Sequence, residues 1–398
     1  MNFLFLSVAY PDVSHNENLY TALTNELADR GHNIRVVAPE FSGETGPHTE
    51  GAVEVIRVHS GPIFNTDVVR KGMNTVLLCR RFRRAIQSYW SDWQPDWVIT
   101  STPPITLGPL LKHIRNATGA KCYLILRDIF PQNAKDLGMM TNPLLFHYFR
   151  SKEKHLYDLC DIIGCMSPEN IRFVKQQNPE IPDEKLTLLQ NWIQPSGKHD
   201  NQLRGSFRRK HGFENKFIAL FGGNFGRPQR ISFILDLAEK AHHLDDVAFV
   251  LIGNGTEKPL IEKDVAARNL TNVHIFEQLP RTEYQALSRE ADIGLVTLSE
   301  KFTIPNIPSR TLGYWDAGLP ILAATDKNTD YKESLLDKYN AGLWAETGDL
   351  EAFYTQFMRF YQDPDLRREL GANGRRAVEK DFAVGKTVDK LLGQIGVA

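Results

Sequence analysis

The sequence contains little cysteine, no long apolar run and almost no net charge. Its four cysteines form no CxxC pair and no cluster with histidine at zinc-ligand spacing, which argues against a disulfide scaffold and a structural zinc site. No stretch reaches the roughly 18 apolar residues of a membrane span, and the first residues lack the basic region of a signal peptide, so we expect a cytoplasmic, reducing location. A formal net charge of −1 argues against a nucleic-acid-binding protein.

What the sequence does contain is an alternation of apolar, strand-like runs with helical patterns, repeated in both halves. A length of 398 residues with 42% hydrophobic residues predicts two or three domains with substantial cores. Because the strands are apolar throughout, the alternation predicts parallel sheets covered on both faces by helices, in two Rossmann-like α/β domains. We place these domains at residues 1–192 and 193–378, with a C-terminal helix, 379–398, that packs back toward the first domain.

Ligands of such sheets bind beyond the carboxyl ends of the strands, and the most informative turn of this kind follows the predicted strand 217–221. Glycine lets the backbone approach a phosphate closely, and the nearby Arg227 and Arg230 could neutralise a diphosphate with forked hydrogen bonds. An ordinary turn with two solvated arginines is the alternative interpretation. The candidate phosphate-binding residues of the turn are Gly222, Gly223, Asn224 and Gly226.

Three further turns of the second half follow predicted strands and fall on the same edge of the sheet. Because the carboxyl ends of parallel strands share an edge, we expect all four turns to converge on one ligand. The candidate residues in these turns are Gly253, Asn254, Leu279, Pro280, Asn306, Ile307, Pro308, Ser309 and Arg310.

In the first half, a charged pair, Arg127 and Asp128, directly follows the predicted strand 121–126. Asp128 could orient an acceptor hydroxyl or take its proton. It could equally cap the turn before Pro131 or pair with Arg127. His15 and Asn16 lie in the loop after the first strand and could reach the same ligand, although a lone loop histidine is more often a surface residue.

Residues 66–93 combine a helical apolar pattern with six basic side chains, and Trp90 and Trp93 lie at the end of the segment. A basic amphipathic helix with terminal aromatic residues is typical of contact with an anionic membrane surface. The alternative is a helix packed on the sheet with a solvated basic face. A second basic, aromatic segment, 146–157, favours membrane contact.

The order and spacing of the motifs resemble those of the GT-B glycosyltransferases, specifically glycosyltransferase family 4, over nearly the whole chain. The turns at 101–104 and 127–131 resemble the branch that transfers N-acetylated amino or deoxy sugars, such as N-acetylfucosamine, in the synthesis of O-antigen, capsule and lipopolysaccharide. The motifs that carry the family resemblance are RGHNIRVVA at 30–38, GNFG at 223–226, LIGNG at 251–255, ADIGL at 291–295, PSR at 308–310 and GLPILA at 318–323.

The resemblance implies a retaining transfer from a UDP-sugar to a polyprenyl-diphosphate-linked or other glycan acceptor at the inner face of the plasma membrane. No Asp-x-Asp is placed to hold a divalent ion, so we expect neither metal nor cofactor beyond the UDP-sugar co-substrate. Arg227 and Arg310 would then stabilise the leaving diphosphate, with Arg230 as a third charge. The resemblance also implies that Asp128, with Arg127, His15 and Asn16, would position the acceptor.

One departure from the family affects this interpretation. The glutamate pair that usually contacts the donor sugar and ribose falls at Pro305 and Gly313, so those contacts must come from elsewhere, for example from backbone groups of 306–309. Two alternatives therefore stay open: a non-catalytic nucleotide-sugar-binding partner of a polysaccharide assembly, and a sugar-nucleotide 2-epimerase. The epimerase would need several carboxylates at the strand ends, where only Asp128 is clearly placed.

Overall fold

The computed structural model describes residues 1–11, 18–61, 68–197 and 205–397, with the side chains of 68–73 and 76 excepted. The chain divides into two compact units. The first comprises Met1–Gln190 together with the C-terminal segment from Val384, and the second comprises Asn191–Ala383. The sequence-based boundaries fall after residues 192 and 378.

The first unit is built on an eight-stranded sheet with the order β3-β4-β2-β1-β5-β6-β7-β8. All neighbouring strands are parallel except β3 and β4. The strands are β1 (Asn2–Leu6), β2 (Asn33–Glu40), β3 (Gly46–Glu50), β4 (Val53–His59), β5 (Trp97–Ser101), β6 (Lys121–Leu126), β7 (Ile162–Cys165) and β8 (Leu186–Leu188). The helices are α1 (Leu19–Asp29), α2 (Val68–Tyr89), α3 (Gly108–Thr118), α4 (Gln132–Asp136), α5 (Pro143–Leu159) and α6 (Pro168–Gln177).

The second unit is built on a six-stranded, fully parallel sheet with the order β11-β10-β9-β12-β13-β14. Its strands are β9 (Phe217–Gly222), β10 (Val247–Ile252), β11 (Val273–Phe276), β12 (Ile293–Thr297), β13 (Ile321–Thr325) and β14 (Gly342–Glu346). Its helices are α7 (Ser206–His211), α8 (Ile231–Lys240), α9 (Lys258–Ala267), α10 (Arg281–Glu290), α11 (Arg310–Asp316), α12 (Leu350–Gln362) and α13 (Pro364–Ala377). Two parallel sheets with helical crossovers confirm the predicted fold class.

The C-terminal helix, α14 (Val384–Gln394), packs on α1 within the first unit. Arg30 joins the two helices: its Nη1 lies 2.5 Å from the Asp389 carboxylate, and its Nη2 donates to the Gly385 carbonyl at 2.8 Å. At the other end of α14, the Tyr123 hydroxyl donates to Gln394 at 2.6 Å. Polar contacts at both ends therefore fix the helix within the first unit, to the end of α1 on one side and to β6 on the other.

The sequence analysis did not predict two of the strands, and both lie at sheet edges. β3 alternates between intermediate and exposed residues and pairs antiparallel with β4. In β14 only Ala345 is buried. Neither strand has the continuous apolar run on which the other predictions depend, because an edge strand is only partly covered.

Candidate active site

The glycine turn after β9 packs closely against the turn after β10. Gly223 and Gly253 have φ angles of 141° and 147°, which residues with a side chain rarely adopt. A Cβ atom at Gly253 would overlap the Gly223 carbonyl oxygen, and one at Gly222 would overlap the Tyr284 hydroxyl. The chain itself therefore fills the space beside Gly222 and Gly253. Glycine is needed at these two positions because the turns pack closely against neighbouring parts of the chain. The sequence analysis had instead attributed these glycines to the close approach of a ligand.

Arg310, the first residue of α11, lies beside the same turn. Its guanidinium carbon is 4.3 Å from the centroid of the buried Phe221 ring, and its Nη2 donates to Gln229 Oε1. A Cβ atom at Gly223 would lie 3.3 Å from that Nη2. The side chain is partly exposed as a whole, but its Nη1 atom is buried and has no hydrogen-bond partner among the described residues. Burial lowers the pKa of the Arg310 guanidinium.

A buried guanidinium N–H without a partner is costly, since it has lost water and gained no acceptor. The buried tyrosine beside the site is a neutral group whose hydroxyl is already bonded. Tyr314 accepts the Gly222 N–H at 2.9 Å and donates to the Leu220 carbonyl at 3.1 Å. An anion placed against Arg310 Nη1 would remove the deficit. The arrangement is therefore suited to an anionic ligand beside the glycine turn.

Arg227 and Arg230 occupy the turn that follows, and both differ from Arg310 in exposure and partners. The Arg227 side chain is 58% exposed, and its Nε lies 3.6 Å from Glu257. The Arg230 side chain is 42% exposed, and its Nε lies 3.1 Å from Glu300. The two residues flank Gln229, whose side chain accepts from Arg310. The structure thus brings all three predicted arginines to one edge of the sheet.

Arg230 has a φ of 46°, an unusual value for a residue with a side chain. Neighbouring contacts hold this conformation: the Gln229 carbonyl accepts from the Thr297 hydroxyl, and Ser299 N donates to the Pro228 carbonyl at 2.9 Å. The turn is therefore fastened to the end of β12, whose loop leads to Arg310.

The remaining residues predicted to bind the sugar donor lie around this edge, and some of their polar groups already form hydrogen bonds within the chain. Asn254 Nδ2 lies 3.4 Å from Glu277, and its Oδ1 accepts the Gly255 N–H at 2.8 Å. Phe225 N donates to the Asn254 carbonyl at 2.9 Å, which joins this turn to the turn of Asn224 and Gly226. Pro280 directly precedes α10, with Leu279 before it.

The backbone carbonyl groups of the loop before Arg310 accept hydrogen bonds from within the chain. Thr329 Oγ1 accepts from Asn306 N at 3.3 Å and donates to its carbonyl at 2.9 Å. The Ile307 carbonyl accepts from Asn191 Nδ2 at 3.0 Å. The Pro308 and Ser309 carbonyls accept from the first turn of α11. The carbonyl groups from 306 to 309 therefore each accept a hydrogen bond from within the chain, and a ribose contact through backbone groups of this loop stays a prediction.

Neither position of the missing glutamate pair carries a substitute carboxylate. Pro305 is buried, whereas Gly313 is exposed, and a Cβ atom there would meet nothing within 4 Å. The open space at Gly313 would accept a side chain without a clash. Within the described residues, no group of three or more His, Cys, Asp or Glu side chains is arranged to hold a metal ion.

In the first unit, Arg127 and Asp128 lie beyond the carboxyl end of β6, as predicted. Their backbone N–H groups donate to the buried Thr102 hydroxyl at 3.0 and 3.2 Å. Arg127 Nη1 is buried and has no hydrogen-bond partner in the described part of the chain. The structure thus places a second buried Nη1 without a partner among the described residues at the carboxyl edge of the other sheet.

The predicted acceptor residues His15 and Asn16 lie outside the described residues. The chain just before them is held firmly, since the buried Arg57 donates to the carbonyls of Tyr10 and Pro11 at 2.6 and 3.0 Å. Glu50 in turn holds Arg57 at 2.7 Å.

Sequence reasoning missed the residues that position Arg310. Gln229 stood between two arginines and received no role, and Phe221 was counted only as an apolar strand residue. Neither has a signature of its own in the sequence. Their function follows from the close approach of the β9 turn to the start of α11.

Comparison with known protein families defines the class of protein. Residues 17–196 match the family model for Glycosyltransferase Family 4, and residues 204–377 match the model for Glycosyl transferases group 1. The chain therefore consists of a family 4 glycosyltransferase domain followed by a group 1 glycosyltransferase domain.

Individual relatives agree with this class. The chain is 24% identical over 316 residues to the probable glycosyltransferase WbjE of Pseudomonas aeruginosa, with 78% of this chain and 76% of the relative covered. It is 21% identical over 336 residues to the putative colanic acid biosynthesis glycosyl transferase WcaI of Escherichia coli, with 78% and 80% covered.

Solved structures share the architecture. A sucrose-phosphate synthase from Thermosynechococcus elongatus superposes with a TM-score of 0.78 at 17% identity, covering 99% of this chain and 98% of the other. WaaG, a glycosyltransferase involved in lipopolysaccharide biosynthesis, gives a TM-score of 0.69 at 15% identity with both chains fully covered. These likenesses show the GT-B fold.

Proposed function

We propose that the chain is a retaining, metal-independent glycosyltransferase that uses a UDP-sugar as its donor. The observation that carries the proposal is Arg310, whose buried Nη1 has no hydrogen-bond partner among the described residues and lies beside the glycine turn. A diphosphate is the anion that such a turn and guanidinium suit. HepE of Anabaena, a structural neighbour, was solved in complex with UDP.

In the proposed reaction, the bond between the anomeric carbon of the sugar and the diphosphate oxygen breaks, and negative charge grows on the departing diphosphate. Arg310 stabilises that charge from a fixed position, because Phe221 and Gln229 already hold its guanidinium. Arg227 and Arg230 add positive charge from more exposed positions. The acceptor hydroxyl attacks the same face, and its proton passes to the departing phosphate.

The acceptor would be positioned from the first unit. Asp128 would orient the acceptor hydroxyl, and Arg127 would contact an anionic part of the acceptor through its unsatisfied Nη1. We assign His15 and Asn16 to the same role on sequence grounds only.

The class of product is a bacterial surface polysaccharide. WcaI and WaaG, whose names refer to colanic acid biosynthesis and lipopolysaccharide biosynthesis, support this class. Within it we propose an N-acetylated amino or deoxy sugar and a polyprenyl-diphosphate-linked acceptor at the inner face of the plasma membrane.

Contact with an anionic membrane surface through 66–93 is part of the proposal. Leu78 and Phe82 of α2 are fully buried, while Arg80, Arg83 and Arg84 are exposed. Arg81 instead donates to the His59 carbonyl at 2.8 Å. The exposed basic face is compatible with anionic lipid headgroups. No helix in the described part of the chain is long and apolar enough to cross a membrane.

The absence of a carboxylate at Pro305 and at Gly313 favours a second candidate, a partner subunit that binds a nucleotide sugar without turnover. Incubation of the protein with a panel of UDP-sugars and lipid-diphosphate acceptors distinguishes the candidate functions. A new glycosidic bond supports the transferase. UDP-sugar binding without product supports the partner, and conversion of the free UDP-sugar to its epimer would contradict both.

A further inference from the structure

The exposed large apolar side chains of the protein are concentrated in one short segment. Nine such side chains occur among the described residues, and four of them fall between residues 139 and 148. These four, which we call the 139–148 patch, are Met139 (64% exposed), Leu144 (80%), Leu145 (40%) and Tyr148 (50%). Contiguous exposed apolar surface on a soluble protein generally marks a contact with a partner or a membrane.

The patch lies on a well-formed part of the fold. The Asn142 side chain caps α5 by accepting the backbone N–H groups of Leu144 and Leu145 at 2.9 and 3.3 Å. Further along the helix, Phe149 packs against Phe130 with ring centroids 5.2 Å apart, and Leu156 is fully buried. The helix is therefore fixed to the first unit, and exposure of its first two turns is not a result of fraying.

The exposed apolar stripe ends in a lysine. Leu144, Tyr148 and Lys152 are spaced four residues apart and so share one face of the helix. Lys152 Nζ lies 5.3 Å from the Tyr148 ring centroid, and Lys135 Nζ lies 4.7 Å from the centroid of Phe146. Both lysines thus place their ammonium groups beside aromatic side chains of this segment.

Within the described ranges these two lysines have no acidic partner, in contrast to the basic residues nearby. Arg150 pairs with Glu153 at 2.7 Å, and Lys154 pairs with Glu180 at 2.9 Å. Neither Lys135 nor Lys152 forms an ion pair with any carboxylate of the described ranges. An apolar centre beside unpaired ammonium groups complements a layer of anionic headgroups over acyl chains, since lysine stems can lie along apolar surface while their charges stay at the phosphates.

We propose that the 139–148 patch docks into the headgroup region of an anionic phospholipid bilayer. Leu144, Leu145 and Tyr148 enter the boundary with the acyl chains, and Lys135 and Lys152 contact lipid phosphates. A second copy of the chain is a less suitable partner for the patch. A two-fold interface would place Lys135 and Lys152 of one copy near the same lysines of the other copy, and these positive charges would repel each other. The inference rests on the proposed membrane contact and adds to it an apolar element on a different helix from the arginines of α2.

The test is co-sedimentation of the full-length protein with phosphatidylcholine vesicles that contain phosphatidylglycerol. We expect the Leu144→Glu/Tyr148→Glu variant to bind about tenfold or more weakly than the unchanged protein, because two apolar side chains no longer enter the bilayer. Leu260→Glu is the matched control, since Leu260 is equally apolar and 64% exposed but lies on α9 of the second unit. Binding of the Leu260→Glu variant should be unchanged.

A Lys135→Gln/Lys152→Gln variant, which keeps the apolar residues, should gain less affinity than the unchanged protein as the phosphatidylglycerol content rises and should behave as the unchanged protein on pure phosphatidylcholine. Equal binding by the Leu144→Glu/Tyr148→Glu and Leu260→Glu variants would overturn the proposal. So would a dimer of the unchanged protein that this double variant converts to a monomer.

A separate variant distinguishes this inference from the contact proposed for α2. If Arg80→Glu/Arg83→Glu/Arg84→Glu is released while Leu144→Glu/Tyr148→Glu stays bound, the α2 contact stands and the patch proposal fails. Release of the patch variant alone supports the patch and removes the α2 contact. UDP-sugar turnover with a water-soluble acceptor should be unaffected in both variants, which separates membrane docking from the transferase proposal.

Discussion

The carboxyl edges of the two sheets each hold an arginine with a buried, unpartnered Nη1 among the described residues, yet the two arginines are fixed differently. The Arg310 guanidinium lies over Phe221 and donates to Gln229, so the charged group itself is held in place. Arg127 is held through its backbone, which donates to Thr102. A guanidinium fixed in advance suits a ligand of constant geometry, such as a diphosphate, whereas one fixed only at the backbone can adapt to different acceptors.

The largest expected effect tests the fixed charge. Replacing Arg310 with alanine should lower kcat/KM about 100-fold or more, because losing one transition-state contact of this kind costs about 3 kcal/mol. The measurement is steady-state transfer, with UDP affinity by calorimetry. Arg359→Ala, on α12 of the same unit, is the control and should leave both quantities unchanged. Near-normal turnover in the Arg310→Ala variant would remove the assignment.

The acceptor side should respond differently. We expect Asp128→Asn to lower kcat about tenfold, since a neutral amide orients a hydroxyl less well than a carboxylate. The affinity for UDP should stay the same, because Asp128 belongs to the first unit. A loss of UDP affinity equal to that of Arg310→Ala would contradict the division of roles between the two edges.

A smaller effect should follow from loosening the Arg310 side chain. Gln229→Ala leaves the charge in place but removes its hydrogen-bond acceptor, and we expect a loss of about fivefold in kcat, which corresponds to the net contribution of about 1 kcal/mol of one typical hydrogen bond. In the Arg310→Ala background the Gln229→Ala change should have no additional effect. Additive losses in the double variant would show that Gln229 acts independently of Arg310.

Arg227 should matter less than Arg310, although the sequence treated them as equals. Its side chain is 58% exposed and lies 3.6 Å from Glu257. Because water and salt screen an exposed charge, we expect Arg227→Ala to lower kcat/KM about threefold, and the loss should shrink further at high salt. An effect as large as that of Arg310→Ala would mean that Arg227 rearranges to contact the ligand directly.

The smallest effect concerns Gly313. Since a Cβ atom there meets nothing within 4 Å, Gly313→Ala should raise the free energy of unfolding by about 0.4–1 kcal/mol through a lower entropy of the unfolded chain. Denaturant unfolding measures this gain. Loss of turnover together with gained stability would indicate that ligand binding needs the open space at Gly313.

Most of the fold could be predicted from the sequence, because its strands are apolar throughout and their turns carry glycine or proline. The edge strands β3 and β14 could not, since neither has a continuous buried apolar run, whereas the edge strands β8 and β11 were predicted. In the site, the three arginines and the turns were predictable as candidates. The relative importance of the three arginines was not predictable, because the exposure and the hydrogen-bond partners of each side chain depend on which loops contact each other in the folded chain.

The sequence by itself determined the alternation of strands and helices, the division into two parallel sheets and the edge at which charged residues gather. These are consequences of local hydrophobic pattern and of the common direction of parallel strands. Only the tertiary structure decided that Gly222 and Gly253 make room for neighbouring chain, and that Arg310 has a buried N–H without a partner among the described residues, which Arg227 does not. The physical reason is that burial and hydrogen-bond satisfaction are set by contacts between segments far apart in the chain.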